Sequence, residues 1–292
     1  MIYDLRLRLS TRYDAPAGAG RHIARMLPLD VPGVQRAARG RLAVRPEPDE
    51  RWERLDFFGN AEVEFALRRP HRGVEVEVTA RVERGRPAPP GPATPLADLA
   101  GELAAIRDLG PLSPLHFLAP SAMVPREGAV AAWARAEGRG DDAVAVSRAL
   151  SAAVHRDWRY DGEATEVDTP LLEAFAARRG VCQDFSHVLI AGLRSLGVPA
   201  GYVSGLIRTV PPPGRPRLEG ADAMHAWVMA WGGARAGWIE LDPTNAVEAG
   251  EDHVVVARGR DYADVVPVKG ILRTAGGQAV AQAVDVIPLD EA

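Results

Sequence analysis

The sequence contains a single cysteine, Cys182, and its position suggests chemistry. It follows Gly180, which ends one predicted helix, and it begins the next, predicted over residues 182–196. At a helix N-terminus the unpaired backbone N–H groups and the helix dipole stabilise a thiolate. A lone cysteine is also commonly a buried, inert residue. Cys182 is therefore a candidate nucleophile whose function depends on a nearby base.

A histidine and an aspartate on two successive predicted strands could supply that base and its partner. His225 lies in Asp222-Ala-Met-His-Ala-Trp227, and Asp242 lies in Gly237-Trp-Ile-Glu-Leu-Asp-Pro-Thr244. Acyl transfer needs a nucleophile, a base that takes its proton and a carboxylate that fixes the imidazole tautomer. A histidine in a strand is also often a hydrogen-bonded core residue. Three complementary residue types in fitting contexts favour the catalytic interpretation.

The turn between the two strands decides whether these side chains can meet. Gly232-Gly-Ala-Arg235 is predicted to form a four-residue hairpin loop. If Trp231 then pairs with Ala236, His225 lies directly opposite Asp242, with the two Cβ atoms ~5 Å apart. A slip of two residues would make the pair diagonal, and an odd-sized loop would put the side chains on different faces.

Four segments of the chain resemble conserved blocks of the bacterial transglutaminase-like family. They are Gly180-Val-Cys-Gln-Asp-Phe-Ser-His187, Asp222-Ala-Met-His-Ala-Trp227, Gly237-Trp-Ile-Glu-Leu-Asp-Pro-Thr-Asn245 and, in the tail, Gly259-Arg-Asp-Tyr-Ala-Asp-Val-Val-Pro-Val-Lys-Gly270. The resemblance implies an α+β fold with a papain-like catalytic domain, a helix-borne cysteine and an antiparallel sheet. It also implies Cys182 as nucleophile, His225 as base and Asp242 as third member of the triad. Met224 and Ser186 depart from the residues usual in the family, but neither belongs to the triad.

The predicted elements divide the chain into three parts. Residues 1–85 are expected to form an N-terminal β-sandwich-like domain, because apolar and charged residues alternate along 5–9 and 74–78. They resemble the β region that precedes the core in the family. Residues 86–140 are a linker and a helical region, since 85–95 contains five prolines. Residues 141–292 are expected to hold the transglutaminase-like core and the C-terminal strands.

Within these parts the periodicity predicts individual elements. Helices are expected at residues 96–109, 127–137, 141–158, 169–179 and 182–196. Strands are expected at residues 198–207, 223–231, 237–241 and 253–257, with a rigid proline-rich loop at 211–216. The cysteine helix should therefore pack against a sheet that carries the histidine and the aspartate.

Composition excludes several classes of protein. A net charge of −4 does not suit nucleic acid as the main partner. No segment offers the ~20 apolar residues of a membrane helix, and the N-terminus alternates like a strand instead of forming a signal peptide. One cysteine excludes an intramolecular disulfide and multi-cysteine metal sites, and no histidines have metal-ligand spacing. We expect a soluble, cytoplasmic protein with no cofactor, no metal, and no nucleic-acid or membrane partner.

Other residues near the motifs receive mainly structural interpretations. His187 lies about 500° round the helix from the cysteine and is expected to hydrogen-bond in the core. Trp158 and Tyr160 are expected in the cleft wall or core, with oxyanion binding as a second option for either. The backbone N–H of Cys182 is the expected oxyanion donor. Asp184 is expected to cap the helix or to form a salt bridge.

The sequence thus predicts an enzyme that transfers the acyl group of an amide through a thioester, acting on a protein or peptide. Hydrolysis of a peptide or isopeptide bond is the favoured outcome, because water always competes as nucleophile. The alternatives are protein-glutamine transamidation, cleavage of a glycan amide, and a non-catalytic binding scaffold that retains the fold. Loop 211–216 and the N-terminal β domain are the expected sites of substrate selection.

Overall fold

The structure is a computed structural model that describes residues 1–209, 218, 220 and 222–289. Within these residues no helix combines the length and the apolar character needed to cross a membrane. The strands are β1 (Ile2–Ala24), β2 (Gln35–Arg45), β3 (Glu50–Leu55), β4 (Ala61–Leu67), β5 (His71–Arg84), β6 (Arg159–Tyr160), β7 (Arg179–Gly180), β8 (Ala200–Ile207), β9 (Ala223–Trp231), β10 (Trp238–Asp242), β11 (Val247–Glu248), β12 (His253–Gly259), β13 (Val268–Arg273) and β14 (Gln278–Pro288). The α-helices are α1 (Leu96–Ala105), α2 (Gly128–Glu137), α3 (Ala143–Asp157), α4 (Leu171–Ala177), α5 (Cys182–Ser195) and α6 (Tyr262–Val265), and a short 3-10 helix spans Pro114–Phe117.

A seven-stranded antiparallel sheet forms the N-terminal domain. The long strand β1 pairs with β5 and β14 along its first part and with β4 and β13 along its last residues. Leu5 and Leu7 of β1 are buried together with Val78 of β5. On the opposite, wet face Arg6 and Glu77 form an ion pair of 3.0 Å. The alternation in the sequence therefore predicted this strand-rich domain correctly.

The last two strands belong to this N-terminal sheet by their pairing. In the sequence-based division they fall with residues 141–292, whereas in the structure both pair with β1. Val286 lies opposite Leu5, Val284 lies opposite Leu7, and all four side chains are buried. β14 carries its own apolar alternation, which completes the dry face of the sheet. Strands from the N-terminal and C-terminal parts of the sequence thus form one sheet, and the residues of the second domain lie between them in the sequence.

The second domain is a five-stranded antiparallel sheet, in the order β11-β10-β9-β8-β12, covered by helices. The central helix α5 packs on β8 and β9 and is flanked by α2, α3 and α4. Its apolar residues Val188, Leu189, Ile190 and Leu193 are fully buried in the main core. This arrangement confirms the predicted α+β fold and puts the N-terminus of α5 beside the sheet.

The proline-rich segment 85–94 carries neither helix nor strand, as its composition predicts. It runs along the core domain instead of standing free. The backbone N–H of Thr94 donates to the carbonyl of Gly232 at 2.8 Å. At Gly91 a Cβ would overlap the backbone carbonyl of Arg235, so only glycine allows this close approach.

Two amide side chains join the N-terminal domain to the edge strand β12. Gln35 donates from Nε2 to the carbonyl of Val255 and accepts from the N–H of the same residue, both at 2.8 Å. Asn60 bonds the N–H and the carbonyl of Arg258 in the same way, again at 2.8 Å each. We call these contacts the amide clamps. They satisfy backbone groups that a sheet edge would otherwise leave open.

Candidate active site

Cys182 is the first residue of α5, where the sequence predicts that the helix begins. The Asp184 carboxylate turns back so that Oδ2 accepts hydrogen bonds from the backbone N–H of Val181 (2.8 Å) and the hydroxyl of Thr165 (2.7 Å). A Cβ on Gly180 would lie 2.8 Å from Asp184 Cγ, so glycine leaves room for this carboxylate. Asp184 therefore has the geometry expected of a capping residue. The cap holds Cys182, which is partly exposed, at the positive end of the helix.

The β9–β10 hairpin has a register two residues away from the predicted one. Trp231 pairs with Trp238, so the prediction that it pairs with Ala236 is wrong. The reason lies in the turn. The N–H of Gly232 donates to the carbonyl of Gly237 at 2.8 Å, and Gly237 takes a φ of 70°, which favours glycine. These two glycines close the hairpin, and the loop consists of residues 233–236.

His225 and Asp242 are consequently diagonal neighbours, and their side chains still meet. His225 Nε2 and Asp242 Oδ2 lie 2.8 Å apart, within the reach of diagonal positions. Burial alone lowers the pKa of His225, but its hydrogen bonds to Asp242 and Cys182 outweigh burial and raise the pKa to about 10. Because Asp242 engages Nε2, Nδ1 is the ring nitrogen that remains for Cys182. The three predicted residues are therefore brought together, with a cationic imidazole in the middle.

Asp242 is fully buried and accepts five hydrogen bonds. Its Oδ2 accepts from His225, from Asn245 Nδ2 (2.7 Å) and from His253 Nε2 (3.1 Å). Its Oδ1 accepts from the backbone N–H groups of Thr244 (2.9 Å) and Asn245 (3.1 Å). Burial by itself raises the pKa of Asp242, but the bonds from the two histidines hold it well below its usual range. The carboxylate therefore stays ionised beside His225.

His253 is a member of this cluster that the sequence analysis did not identify. It is the first residue of β12, and the sheet order separates β12 from β10 by two strands. Its side chain nevertheless reaches Asp242. At Gly205, on the intervening strand β8, the ring of Trp227 occupies the space that a Cβ would need. The rings of Trp227 and His253 meet edge to face, with centroids 5.2 Å apart. The spacing of residues in the sequence does not predict such a contact, because the contact depends on which strands are neighbours in the sheet.

Within the described residues, His225, Asp242 and His253 also offer three ligand atoms within 4.8 Å of one another, as a metal site would. The spacing does not suit a tetrahedral metal ion. Ligand atoms ~2.0–2.1 Å from zinc lie ~3.3 Å from one another, whereas the two N···O distances are 2.8 and 3.1 Å. These are hydrogen-bond lengths. The cluster is arranged as a hydrogen-bonded network, and its spacing does not fit a bound metal ion.

Three tyrosines lie within electrostatic reach of the cysteine. The pKa values of Tyr160, Tyr202 and Tyr262 are all raised, first by burial and then by the neighbouring Cys182. Tyr160 belongs to β6, which pairs with the strand leading into α5, and 59% of its surface is exposed. The sequence analysis gave Trp158 and Tyr160 a possible role in oxyanion binding, and of these two Tyr160 lies near the cysteine. Trp158 instead packs in the core, with the Arg178 guanidinium 4.3 Å from its ring centroid.

His187 is buried, as the helical wheel predicts, and accepts a hydrogen bond from the backbone N–H of Tyr262 at 3.2 Å. Burial lowers its pKa to about 4, with a smaller opposing effect of Asp261. It is therefore a neutral residue that joins α5 to α6. The proline-rich loop at 211–216, expected to select substrate, lies outside the described residues.

Comparison with known proteins gives consistent results for both halves of the chain. A model of the transglutaminase-like superfamily core matches residues 131–243, and one of the bacterial transglutaminase-like N-terminal region matches residues 3–83. An uncharacterized protein of Mycobacterium tuberculosis is 35% identical over 276 residues, which cover 88% of this chain and 83% of the relative. An uncharacterized protein of Mycobacterium leprae is 31% identical over 280 residues, covering 95% of both chains.

A solved structure shares the whole architecture. The crystal structure of a candidate cysteine protease from Cytophaga hutchinsonii covers 100% of this chain and 92% of its own, with a TM-score of 0.75 and 22% sequence identity. At that identity the likeness is one of fold. Motifs, family models and fold agree, which confirms the resemblance found in the sequence. The chain belongs to the bacterial transglutaminase-like family and combines that family's N-terminal region with a transglutaminase-like, papain-like core.

Proposed function

We propose that this protein is a cysteine-dependent hydrolase that cleaves a peptide or isopeptide bond through a thioester on Cys182. The observation that carries the proposal is the buried imidazole of His225, which is bonded to Asp242 at 2.8 Å and whose pKa is raised by Asp242 and by the neighbouring Cys182. An imidazolium beside a sulfur at a helix N-terminus is the environment that stabilises a thiolate. A binding scaffold would have no need of such an arrangement.

In the proposed reaction the Cys182 sulfur attacks the amide carbon, and the carbonyl electrons move to oxygen. The backbone N–H of Cys182, which has no partner within its own helix at this first position, donates to the oxyanion. Collapse of the intermediate breaks the C–N bond, and the leaving amine takes a proton from His225 Nδ1. A thioester and a neutral imidazole remain.

The second half returns the site to its starting state. Water loses a proton to His225 as its oxygen attacks the thioester carbon, and collapse expels the Cys182 thiolate and the acid product. Asp242 holds the imidazole in the tautomer whose Nδ1 can accept that proton. A primary amine in place of water would give transamidation by the same steps. Partial exposure of Cys182 and the largely exposed Tyr160 beside it support access of water, which favours hydrolysis.

The test uses the lone thiol as its own reporter. We expect iodoacetamide to alkylate the wild type rapidly at pH 6. His225→Ala should react at least ~10-fold more slowly at that pH and behave as an ordinary thiol, whose pKa is ~8.5. Intact mass measures the reaction, because each adduct reports one site. His116→Ala, which changes a histidine outside the cluster, is the matched control. Equal profiles for wild type and His225→Ala would contradict the proposal and leave the binding scaffold.

The outcome of the thioester is tested separately. Wild type and Cys182→Ala are incubated with peptide and isopeptide libraries, with and without a fluorescent primary amine. Acid products that require Cys182 support hydrolysis. Incorporation of the amine in preference to hydrolysis would show instead that the protein is a transamidase that uses the same catalytic residues.

A further inference from the structure

A second buried imidazole, which the proposed reaction does not use, touches the carboxylate of the cluster. His253 is 4% exposed, and its Nε2 lies 3.1 Å from Asp242 Oδ2, the oxygen that also accepts from His225. The centroids of the two imidazole rings are 6.2 Å apart. Asp242 and His225 are thus the ionisable groups that face His253 within the cluster, and the ring of Trp227 closes one side.

The other nitrogen of His253 fixes its tautomer. The backbone N–H of Gly250 points at Nδ1 with a distance of 3.3 Å, and an N–H can only donate. Nδ1 must therefore hold a lone pair, and the ring proton sits on Nε2, where it is donated to Asp242. A buried histidine in this state is a neutral hydrogen-bond donor with one fixed direction.

The N-terminal domain holds His253 in this place. Arg84, the last residue of β5, has a fully buried side chain and donates from Nε to the carbonyl of Gly250 at 3.2 Å. Two residues beyond His253, the Gln35 clamp binds both backbone groups of Val255. The backbone on each side of His253 is therefore tied to the N-terminal sheet.

We propose that His253 is a positioning residue of the active site, which acts on the reaction through Asp242. As a neutral Nε2–H donor it keeps Oδ2 turned towards His225 and helps to keep the carboxylate ionised. Without it, Oδ2 would lose one of its three donors, so the carboxylate would be held less firmly towards His225 and its ionised form would be less stabilised. This inference rests on the proposed function, because it assigns His253 a part in maintaining the Cys182–His225 pair.

Two substitutions separate hydrogen bonding from packing. His253→Gln can keep an N–H donor to Asp242, whereas His253→Leu keeps bulk and removes the donor. We expect the leucine variant to lose about 10-fold in alkylation rate at pH 6 and the glutamine variant to stay within about 3-fold of wild type. The rate should fall mainly at low pH, so that the leucine profile moves towards that of His225→Ala. His22→Leu removes a buried histidine of the N-terminal sheet and should leave the profile unchanged.

A spectroscopic measurement on the unmodified protein keeps the inference testable if His253→Leu fails to fold. In the long-range 1H–15N spectrum at pH 7.5, His253 should show a protonated Nε2 and an unprotonated Nδ1. An imidazolium, or a proton on Nδ1, would overturn the inference.

The remaining outcomes distinguish the inference from the function on which it rests. If His225→Ala changes the profile but His253→Leu does not, the positioning role is refuted and the proposed function stands. Equal loss in the glutamine and leucine variants would assign the effect to packing and also refute it. If His225→Ala has no effect, both fail. A wild-type profile that zinc or a chelator alters at micromolar concentration would make the cluster a metal site and overturn the inference.

Discussion

Five hydrogen-bond donors converge on the buried carboxylate of Asp242, so an asparagine at this position cannot satisfy them in either orientation. If its oxygen faces His225 and His253, its NH2 group points at two backbone N–H groups. If its NH2 group faces the histidines, His225 must turn its Nε2 into an acceptor and carry its proton on Nδ1. That tautomer cannot take a proton from Cys182. We therefore predict that Asp242→Asn impairs both stability and reactivity.

The size of the reactivity loss follows from the pKa of His225. With Asp242 ionised that pKa is about 10, against 6.5 for a free imidazole. At pH 8 the imidazolium fraction would fall from nearly complete to ~3% if the pKa returned to the free value, a loss of ~30-fold. In the variant, burial still lowers the pKa of His225 and Cys182 still raises it, so we expect a loss on the order of 30-fold. The two unsatisfied buried donors should destabilise the fold by ~2–6 kcal/mol.

Both effects are measurable with one protein preparation. Alkylation followed by intact mass across pH 5 to 9 gives the reactivity, and urea unfolding gives the free energy. Asp98→Asn, an exposed carboxylate in the first turn of α1, is the matched control and should behave as wild type. If Asp242→Asn stays within about 3-fold of wild type at pH 8 and unfolds at the same urea concentration, the reasoning from converging donors is wrong.

Three further predictions concern stability. The folded pKa of His225 is raised from 6.5 to about 10, so its contribution to stability is complete below pH 6.5 and is lost as pH rises towards 10. The unfolding free energies of wild type and His225→Gln should therefore converge over that window, by at most about 5 kcal/mol, and a constant difference would contradict the assignment. Gly205→Ala forces a Cβ into the ring of Trp227 and should cost ~1–3 kcal/mol in urea unfolding, and an unchanged midpoint would refute this packing argument. Asn60→Ala removes both hydrogen bonds to the backbone of Arg258 and should lower the free energy of unfolding by ~1–3 kcal/mol. The backbone amides of β12 should then exchange hydrogen faster. Unchanged exchange would show that this clamp does not hold the sheet edge.

The sequence correctly predicted those elements whose boundaries are determined by nearby residues. Gly180 and Asp184 mark the start of α5 within five residues, and β9 has the bounds predicted from its apolar run. The predicted hairpin register was wrong because Gly232, Gly233 and Gly237 allow the turn to close in more than one way. The hydrogen bonds in the structure show which of these turns forms. Diagonal contact was one of the alternatives that the sequence left open.

Contacts between distant segments were beyond the sequence. His253 reaches Asp242 because β12 lies beside β8, and strand order follows from tertiary packing that no spacing encodes. The pairing of β14 with β1 is of the same kind, since alternation predicts a strand but not its neighbour. The amide clamps were missed for this reason too: Gln35 lies 220 residues before the strand that it binds.

The pairing of β1 with β14 also has a consequence for how the protein is made. Tyr3 lies opposite Pro288, so strand β1 leaves the ribosome long before its partner is synthesised. At ~5–20 residues per second the delay is on the order of 14 to 60 s. During that interval Leu5 and Leu7 lack the cover of Val284 and Val286, and one edge of β1 can join other strands. Synthesis interrupted before residue 278 would therefore yield a chain prone to aggregation, even though it contains Cys182, His225, Asp242 and His253.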